Sequence, residues 1–382
     1  MIFNFLKKEA ISQPSHFPDI PTHQKQINQI LHLSPTPLFI TDPNIVLDRL
    51  SQLSDYKVAF SFKTNYCLAQ SPILNRSSII AEVVSEYEYK MAKKYQYRHI
   101  IYNGLLKSIL SLKRAISGPA TFIHLDGQHQ VSDFLNLLVK PRKFGLRFNP
   151  ETTTSRFGFT FKEIASLISQ VRHNPLAHLN AIHLHIGSDI PHPKLFQKAV
   201  VQTNKLLDYL KSQNIAIDYV DFGGGLPAHG LTPYAHTENW QPTSITEYKN
   251  LLKQLNVNQI ILEPGRFLVD DSTIFITKVI EKKIVSRCQQ IICDATVNQL
   301  PLIYYRPQIM KCYHPNLSQI TSTKYTDTKI FGSSCQESDL IHQTKLPQLN
   351  IGDLLIFFCV GAYHQNMTPD FIFNKPSLFF LK

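Results

Sequence analysis

The chain has 382 residues, of which 43% are hydrophobic, 18% are charged and only 14 are glycine. This composition excludes a disordered, collagen-like or low-complexity protein. The net charge of +11 permits nucleic-acid binding. Lysine and arginine are scattered, however, and no zinc-finger, basic-zipper or RNA-recognition motif occurs, so we expect no nucleic-acid partner.

Cysteine usage and the length of the apolar runs indicate the cellular compartment of the protein. Six cysteines without a C-x-x-C pair, in a chain of this length, are typical neither of a disulfide scaffold nor of a metal finger. The N-terminal apolar stretch is too short for a signal peptide, and the longest apolar run, 354–362, is too short to cross a bilayer. We therefore expect a cytoplasmic protein with no membrane contact.

Eight short apolar runs alternate with longer amphipathic segments and are predicted to be strands. They are 58–62, 79–84, 100–103, 122–126, 144–148, 181–186, 219–222 and 259–263. Each intervening segment is long enough for a helix, as in Phe196–Leu210, where apolar residues recur at helical spacing. Eight such units predict an α/β protein with a parallel (β/α)8 TIM barrel over residues 36–266.

The alternation stops near residue 267, and short β-like runs separated by turn residues follow. These runs are 273–281, 289–293, 302–305, 328–331, 353–358 and 378–381. Residues 267–382 are therefore predicted to form a second, mostly antiparallel β domain. The N-terminal segment 1–35 is expected to join that domain.

Chemistry in such a barrel is expected where the strands end, at the C-terminal face. Lys63 follows the first strand, where desolvation would favour the neutral amine that acts as a nucleophile. His183 and His185 point the same way along the sixth strand, because side chains repeat every two residues. No carboxylate or cysteine lies beside them in the sequence, so we predict no metal site.

Glycine-rich loops follow the last two predicted strands. Gly223-Gly224-Gly225 can turn backbone N–H groups toward an anion, and Glu263 is followed by Gly265-Arg266. These loops occupy the usual phosphate-binding corner of a barrel, where Arg266 offers a charge-assisted fork. An amine, a phosphate cradle, a histidine for stacking and a carboxylate are the groups that pyridoxal phosphate uses.

Together these motifs resemble, in the same order, the fold-type III pyridoxal-phosphate decarboxylases, the diaminopimelate and ornithine decarboxylase family, over about residues 36–374. The stretch Ser188-Asp189-Ile190 is closer to the diaminopimelate branch. The resemblance implies that Lys63 forms a Schiff base with pyridoxal 5'-phosphate, that His185 stacks on its ring and that Glu263 meets its pyridine nitrogen. It assigns further cofactor contacts to Glu82, Arg147, His183, Ser188, Gly224, Gly225, Gly265, Arg266 and Tyr363.

The resemblance also implies the reaction. A carboxylate against the pyridine nitrogen stabilises the protonated ring, which is a strong electron sink. Racemases of the same fold place an arginine there, so Glu263 favours decarboxylation over racemisation. We therefore expect decarboxylation of an amino acid to an amine and CO2.

Two motifs of the second domain extend the resemblance. Gly361-Ala362-Tyr363 looks like the family's Gly-Ala-Tyr, and 332–339 resembles its Gly-x-x-Cys-Glu-x-x-Asp stretch, with Cys335 in the cysteine position. In the family this cysteine crosses a dimer interface into the partner's active site. The resemblance therefore implies a homodimer with shared active sites, and it makes Cys335 the candidate proton donor to the α-carbon.

Two departures from the family pattern concern the substrate. Leu300 stands where the diaminopimelate branch has an arginine, and Gln336 replaces an acidic residue that meets the distal amine. A neutral amide binds an ammonium group less well than a carboxylate does. We therefore predict a diamino acid with a conjugated or modified distal end, bound by Arg306, Gln336 and Tyr363.

Three alternatives stay open. The chain could be an ordinary diaminopimelate decarboxylase, with Arg306 reaching the substrate carboxylate, or an ornithine- or lysine-type decarboxylase. A second alternative is an inactive homologue that binds another protein, although the presence of Lys63, His185 and Glu263 argues against it. A third is a phosphate-ester barrel enzyme that uses Lys63 differently, which leaves Cys335 unexplained.

Overall fold

A computed structural model describes residues 18–76, 78–118, 121–152, 154–190, 192–228, 243–306 and 308–382. The chain divides into two compact units. Among the described residues, the barrel unit comprises 50–227 and 243–266, and the β unit comprises 18–49, 228 and 267–382. Within these residues, no helix combines the length and the apolar character needed to span a lipid bilayer.

A closed parallel barrel forms the first unit. After β1 (Leu38–Thr41), which belongs to the β unit, its strands are β2 (Lys57–Ser61), β3 (Ile80–Val83), β4 (Ile100–Tyr102), β5 (Thr121–Leu125), β6 (Arg142–Arg147), β7 (Ala177–Leu184), β8 (Tyr219–Gly223) and β9 (Gln259–Glu263). Each strand pairs in parallel with the next, and β9 pairs with β2 to close the ring. The predicted TIM barrel is confirmed.

The register of the barrel strands determines which side chains become neighbours. Ser61 pairs with Glu82 across β2 and β3, so the turn after β2 lies beside that carboxylate. Gly223 pairs with Glu263 across β8 and β9, so the glycine-rich loop begins next to a second carboxylate. The chemical groups at the barrel mouth are therefore placed by backbone pairing.

The helices begin at recognisable sequence signals. They are α1 (Ile20–Leu33), α2 (Pro43–Ser51), α3 (Tyr66–Gln70), α4 (Glu86–Lys94), α5 (Ile109–Ser117), α6 (Gln128–Leu137), α7 (Phe161–Arg172), α8 (Pro193–Ser212), α9 (Ile245–Leu252), α10 (Arg266–Val269) and α11 (His364–Met367). Ser85 caps α4, and Thr160 with Glu163 forms a capping box on α7. Most of them follow barrel strands, as the predicted alternation requires.

The β unit is a mixed sheet. Its remaining strands are β10 (Thr273–Val285), β11 (Cys288–Cys293), β12 (Met310–Tyr313), β13 (Thr326–Phe331), β14 (Leu340–Leu346), β15 (Leu354–Phe357) and β16 (Ser377–Phe380). Among the described residues its strands form five antiparallel and two parallel pairs, which confirms the mostly antiparallel prediction. Helix α1 packs on this sheet through Ile20, Ile27 and Ile30.

One predicted strand of the β unit is wrong. The segment 302–305 is a turn, in which the N–H groups of Tyr305 and Arg306 both donate to the carbonyl of Leu302. These local bonds take the place of a strand ladder directly after Pro301. Strands β1, β12 and β14 were not among the predicted runs, because β1 and β12 have only four residues each and β14 contains four consecutive polar residues, 342–345.

Candidate active site

Lys63 and Glu82 form the central ion pair of the barrel mouth. Lys63 lies on a single 3-10 turn after β2, and its Nζ is 2.9 Å from Oε2 of Glu82. The side chain of Glu82 is 1% exposed, whereas that of Lys63 is 35% exposed. We had expected desolvation to govern the charge of Lys63. Its partial exposure and a carboxylate at hydrogen-bond distance make the ion pair the governing interaction instead.

Glu263 ends β9 and is held by donors from other strands. Nδ2 of Asn103 donates to Oε1 of Glu263 at 2.7 Å and to Oε1 of Glu82 at 3.1 Å. Nε2 of His183 lies 3.3 Å from Oε2 of Glu263. Both carboxylates are buried, so such donors replace the water that their oxygens have lost. Asn103 therefore links the partner of Lys63 to the second carboxylate.

Two neutral histidines line the barrel beneath these carboxylates. The rings of His124 and His183 stack at a centroid distance of 5.2 Å. Burial lowers the pKa of both imidazoles well below the ordinary value, so both are neutral at physiological pH. Burial, with the nearby Glu263, raises the pKa of the Asp221 carboxyl well above its ordinary value. A negative charge on Asp221 is therefore disfavoured in this cluster.

The loops after β7, β8 and β9 pack against one another. The N–H of Ile190 donates to the carbonyl of Gly225 at 2.9 Å, which joins the first two loops. Nε of Arg266 lies 3.3 Å from Oδ2 of Asp189, which joins the third loop to the first. His185 is partly buried at the start of this corner, and burial together with the Lys63 charge lowers its pKa to about 3. Its ring is therefore neutral.

Two glycines in these loops have no room for a side chain. A Cβ on Gly224 would lie 2.8 Å from the carbonyl oxygen of Glu263, and one on Gly265 would lie 2.4 Å from Cγ2 of Thr64. Gly225 has a φ of +101°, which L side chains rarely adopt. The backbone itself therefore forms the surface of this corner, as a phosphate cradle requires.

Arg147 and Ser188 lie at the ends of β6 and β7. Nη1 of Arg147 donates to Oδ2 of Asp126 at 2.8 Å, and its side chain is 12% exposed. Ser188 is exposed in the loop after β7. Their predicted contacts with a cofactor stay predictions.

Four predicted residues belong to the β unit. Cys335 and Gln336 are exposed on one loop, whose shape is held by the buried carboxylate of Asp339. That carboxylate accepts from the N–H groups of Val297 at 2.7 Å and Ser334 at 2.9 Å. The loop is thus ordered around an exposed thiol and an exposed amide.

Arg306 and Tyr363 have different surroundings. Nη1 of Arg306 donates to Oδ2 of Asp270 at 2.5 Å, and both side chains are buried. The guanidinium of Arg306 is therefore already paired with a carboxylate. Its predicted role in substrate binding stays a prediction. Tyr363 has a φ of +71°, a strained conformation for a bulky residue that is found mainly at functional positions.

Sequence reasoning did not single out Asn103, His124, Asp221 or Lys107. Asn103 directly follows β4 and Lys107 lies in the loop after it, whereas His124 and Asp221 lie within β5 and β8. A polar residue at the C-terminal end of a predicted barrel strand was the available signal. Lys107 is buried, and its Nζ donates to the carbonyl of Gly104 at 2.7 Å.

The barrel residues fit pyridoxal phosphate. The lysine amine is partly accessible, Glu263 offers a carboxylate for a ring nitrogen, and the glycine loops beside Arg266 offer backbone and charge for a phosphate. The buried Nδ1 of His183 has no hydrogen-bond partner among the described residues, which is costly unless a bound group supplies one. The donor set thus matches the requirements of this cofactor.

Comparison with known proteins identifies the family. Residues 46–270 match the family described as pyridoxal-dependent decarboxylase, pyridoxal binding domain. The chain therefore belongs to the pyridoxal-dependent decarboxylases, and it stands near the diaminopimelate branch. It is an enzyme of the carboxy-lyase class.

Individual relatives agree with this assignment. The diaminopimelate decarboxylase of Aquifex aeolicus is 26% identical over 365 residues, which cover 87% of this chain and 85% of that enzyme. The structure of diaminopimelate decarboxylase from Helicobacter pylori complexed with L-lysine has a TM-score of 0.80 at 21% identity, covering 93% of this chain and 94% of that one. The arginine decarboxylase of Paramecium bursaria Chlorella virus has a TM-score of 0.79 at 19% identity, covering 94% and 100%. The two structures share the fold.

The buried Lys107 predicts a pH dependence of stability. Burial lowers its pKa to about 7 from the ordinary 10.5, so between these values the unfolded chain binds more protons than the folded one. The free energy of unfolding should therefore rise with pH across this window, by up to about 1.4 kcal/mol per pH unit. Urea unfolding at several pH values should show this rise in the wild type and its loss in Lys107→Met.

Lys113→Met is the matched control, because Lys113 is exposed on α5. It should keep the wild-type slope. Equal slopes for the wild type and Lys107→Met would contradict a depressed pKa at Lys107.

Proposed function

We propose that this decarboxylase holds pyridoxal 5'-phosphate in the barrel and removes the α-carboxyl group of a diamino acid, or of a diamino acid with a modified distal end. The pairing of Lys63 with Glu82, with Asn103 connecting Glu82 to Glu263, is the observation that carries this proposal. It brings an amine, a base and a ring-nitrogen partner into one network.

Each barrel residue has a distinct task in this proposal. Lys63 is the amine that binds the cofactor carbonyl covalently, and His185 lies against its ring. Gly224, Gly225, Gly265 and Arg266 hold its phosphate. When bound, pyridoxal phosphate supplies an electron sink for the electron pair that remains when CO2 leaves.

The carboxylates control protons. An ammonium at Lys63 must lose a proton before its nitrogen can attack a carbonyl, and Glu82 at 2.9 Å is within reach to accept that proton. Glu263 accepts a hydrogen bond from Asn103 and lies 3.3 Å from Nε2 of His183, and these contacts fix the orientation of its carboxylate. It can therefore hold a proton on the pyridine nitrogen.

The β unit supports the choice of substrate. Gln336 is exposed on the ordered 332–339 loop, and its neutral amide suits a distal group without a free ammonium. Arg306 is engaged with Asp270, so it is not the ready equivalent of the arginine that Leu300 replaces. These two features favour a modified distal end over free diaminopimelate.

A second candidate is an ordinary diaminopimelate decarboxylase. It is favoured by the relatives, since that activity is the one named for the enzyme of Aquifex aeolicus and for an enzyme of Buchnera aphidicola at 27% identity. Under this candidate the distal end of the substrate is recognised by residues other than Gln336.

A substrate panel separates the two candidates. The loaded enzyme is given free diaminopimelate, ornithine, lysine and arginine and their distally N-acylated forms, and CO2 release is measured. We expect release that depends on added pyridoxal phosphate and is fastest with an acylated diamino acid. Lys63→Ala should release no CO2. Lys57, the exposed first residue of β2, supplies the control, and Lys57→Ala should behave like the wild type.

Preference for free diaminopimelate would select the second candidate. Absence of CO2 release from every amino acid of the panel would contradict both.

The proposal extends to a cytoplasmic homodimer with shared active sites. All six cysteines are free thiols, as a reducing compartment requires, and Cys335 is exposed on its loop. In this arrangement Cys335 of one subunit donates the proton to the α-carbon in the site that contains Lys63 of the other.

Mixed dimers test the shared site. Lys63→Ala and Cys335→Ala should each be inactive alone, and unfolding and refolding them together should restore about a quarter of wild-type activity, since half of the dimers then contain one intact site. The pair Lys63→Ala and Cys288→Ala is the control, in which Cys288→Ala alone stays active. Failure of the first mixture to gain activity would contradict a shared site.

A further inference from the structure

A chain of hydrogen bonds runs through the barrel beneath the two carboxylates. The hydroxyl of Tyr219 lies 3.2 Å from Nε2 of His124, and Nδ1 of the same ring lies 2.8 Å from Oδ1 of Asn103. Asn103 then donates from Nδ2 to Glu82 and to Glu263. All five side chains are buried, so water cannot substitute for a missing partner.

The hydrogen bonds of this network all run in one direction, from Tyr219 toward the carboxylates. Burial raises the pKa of the Tyr219 phenol and lowers that of the His124 imidazole, so the phenol keeps its proton and the ring carries only one. With Tyr219 donating to Nε2, the ring proton is on Nδ1 and donates to Asn103. Both N–H bonds of the Asn103 amide then point to carboxylates. Every link therefore delivers a donor toward Glu82 and Glu263.

The same geometry argues against a metal at this place. Ligand atoms of His124, Asp221 and Glu263 lie within 4.8 Å of one another. Both ring nitrogens of His124 are already engaged, by Tyr219 and by Asn103. The imidazole of this cluster is thus occupied by hydrogen bonds, and its Nδ1 also lies 3.3 Å from Oδ2 of Asp221.

We propose that Asn103 and His124 are positioning residues, which keep the Glu82 and Glu263 carboxylates hydrogen-bonded and correctly oriented for the lysine and the pyridine nitrogen of the cofactor. This inference rests on the proposed function. Asn103 suits the task because an amide presents two donors and one acceptor, whereas a leucine of similar size presents none. His124 suits it because Nδ1–H fixes which side of the Asn103 amide faces the carboxylates.

Removing the donors should change how the bound cofactor titrates. A carboxylate that loses a donor becomes a stronger counter-ion, so a nearby cationic nitrogen keeps its proton to higher pH. In Asn103→Leu, we expect the pH midpoint of the visible band of the lysine-bound cofactor to rise by about one to two pH units. Asn180→Leu, an asparagine of β7 that pairs with Asp218, is the control and should leave the midpoint unchanged.

Variants of His124 test the network without altering Asn103. His124→Asn keeps an N–H donor near the Nδ1 position and should retain the wild-type midpoint, whereas His124→Leu should raise it. A purely structural role predicts lower stability without a change in midpoint. An unchanged midpoint in both Asn103→Leu and His124→Leu overturns the inference, and so does an equal rise in the two His124 variants.

The cofactor-free protein supplies a readout that does not depend on the proposed function. Nitrogen-15 NMR of the His124 ring, assigned by its loss in His124→Asn, should show a neutral ring protonated on Nδ1 at neutral and mildly alkaline pH. A ring protonated on Nε2, or a charged ring, overturns the inference even where the wild type forms no visible band. Absence of the band with the expected ring state instead counts against the proposed function.

Discussion

The structure depends on how buried carboxylates find hydrogen-bond partners inside a closed barrel. Closing eight parallel strands brings the polar residues at their C-terminal ends into one small space, where water cannot solvate them. The carboxylate of Glu82 is paired with the Lys63 amine. The carboxylate of Glu263 accepts from Asn103 and lies beside Nε2 of His183. The neutral His124 ring and the raised pKa of the Asp221 carboxyl limit the charge that must be balanced.

This constraint connects the site to the fold. The donors come from β4 and β7 and the carboxylates from β3 and β9, so no local segment contains the site. Asn103 and Glu263 are 160 residues apart in the chain and meet only because the strands close. Catalytic geometry in this protein is therefore a consequence of strand register, and a one-step shift of pairing would turn these side chains away from the barrel interior.

The sequence was sufficient for the barrel and for many of the motifs at its mouth. Parallel strands covered on both faces are uninterrupted apolar runs, which is why all eight were predicted near their observed positions. The β unit was harder, because β14 has a polar centre and the segment 302–305 is a turn that buries Ile303 and exposes Tyr304 and Tyr305. Asn103 and His124 could not be recognised from the sequence, because their hydrogen-bond partners lie on other strands.

The central claim is that Lys63, paired with Glu82, is the lysine that carries pyridoxal phosphate. Borohydride reduction of the loaded enzyme fixes the cofactor to its lysine, and peptide mass spectrometry then locates the modified residue. The account predicts a pyridoxyl group on Lys63 and none on Lys107, the buried lysine with a pKa of about 7. A modification on Lys107, or on no lysine at all, would contradict it.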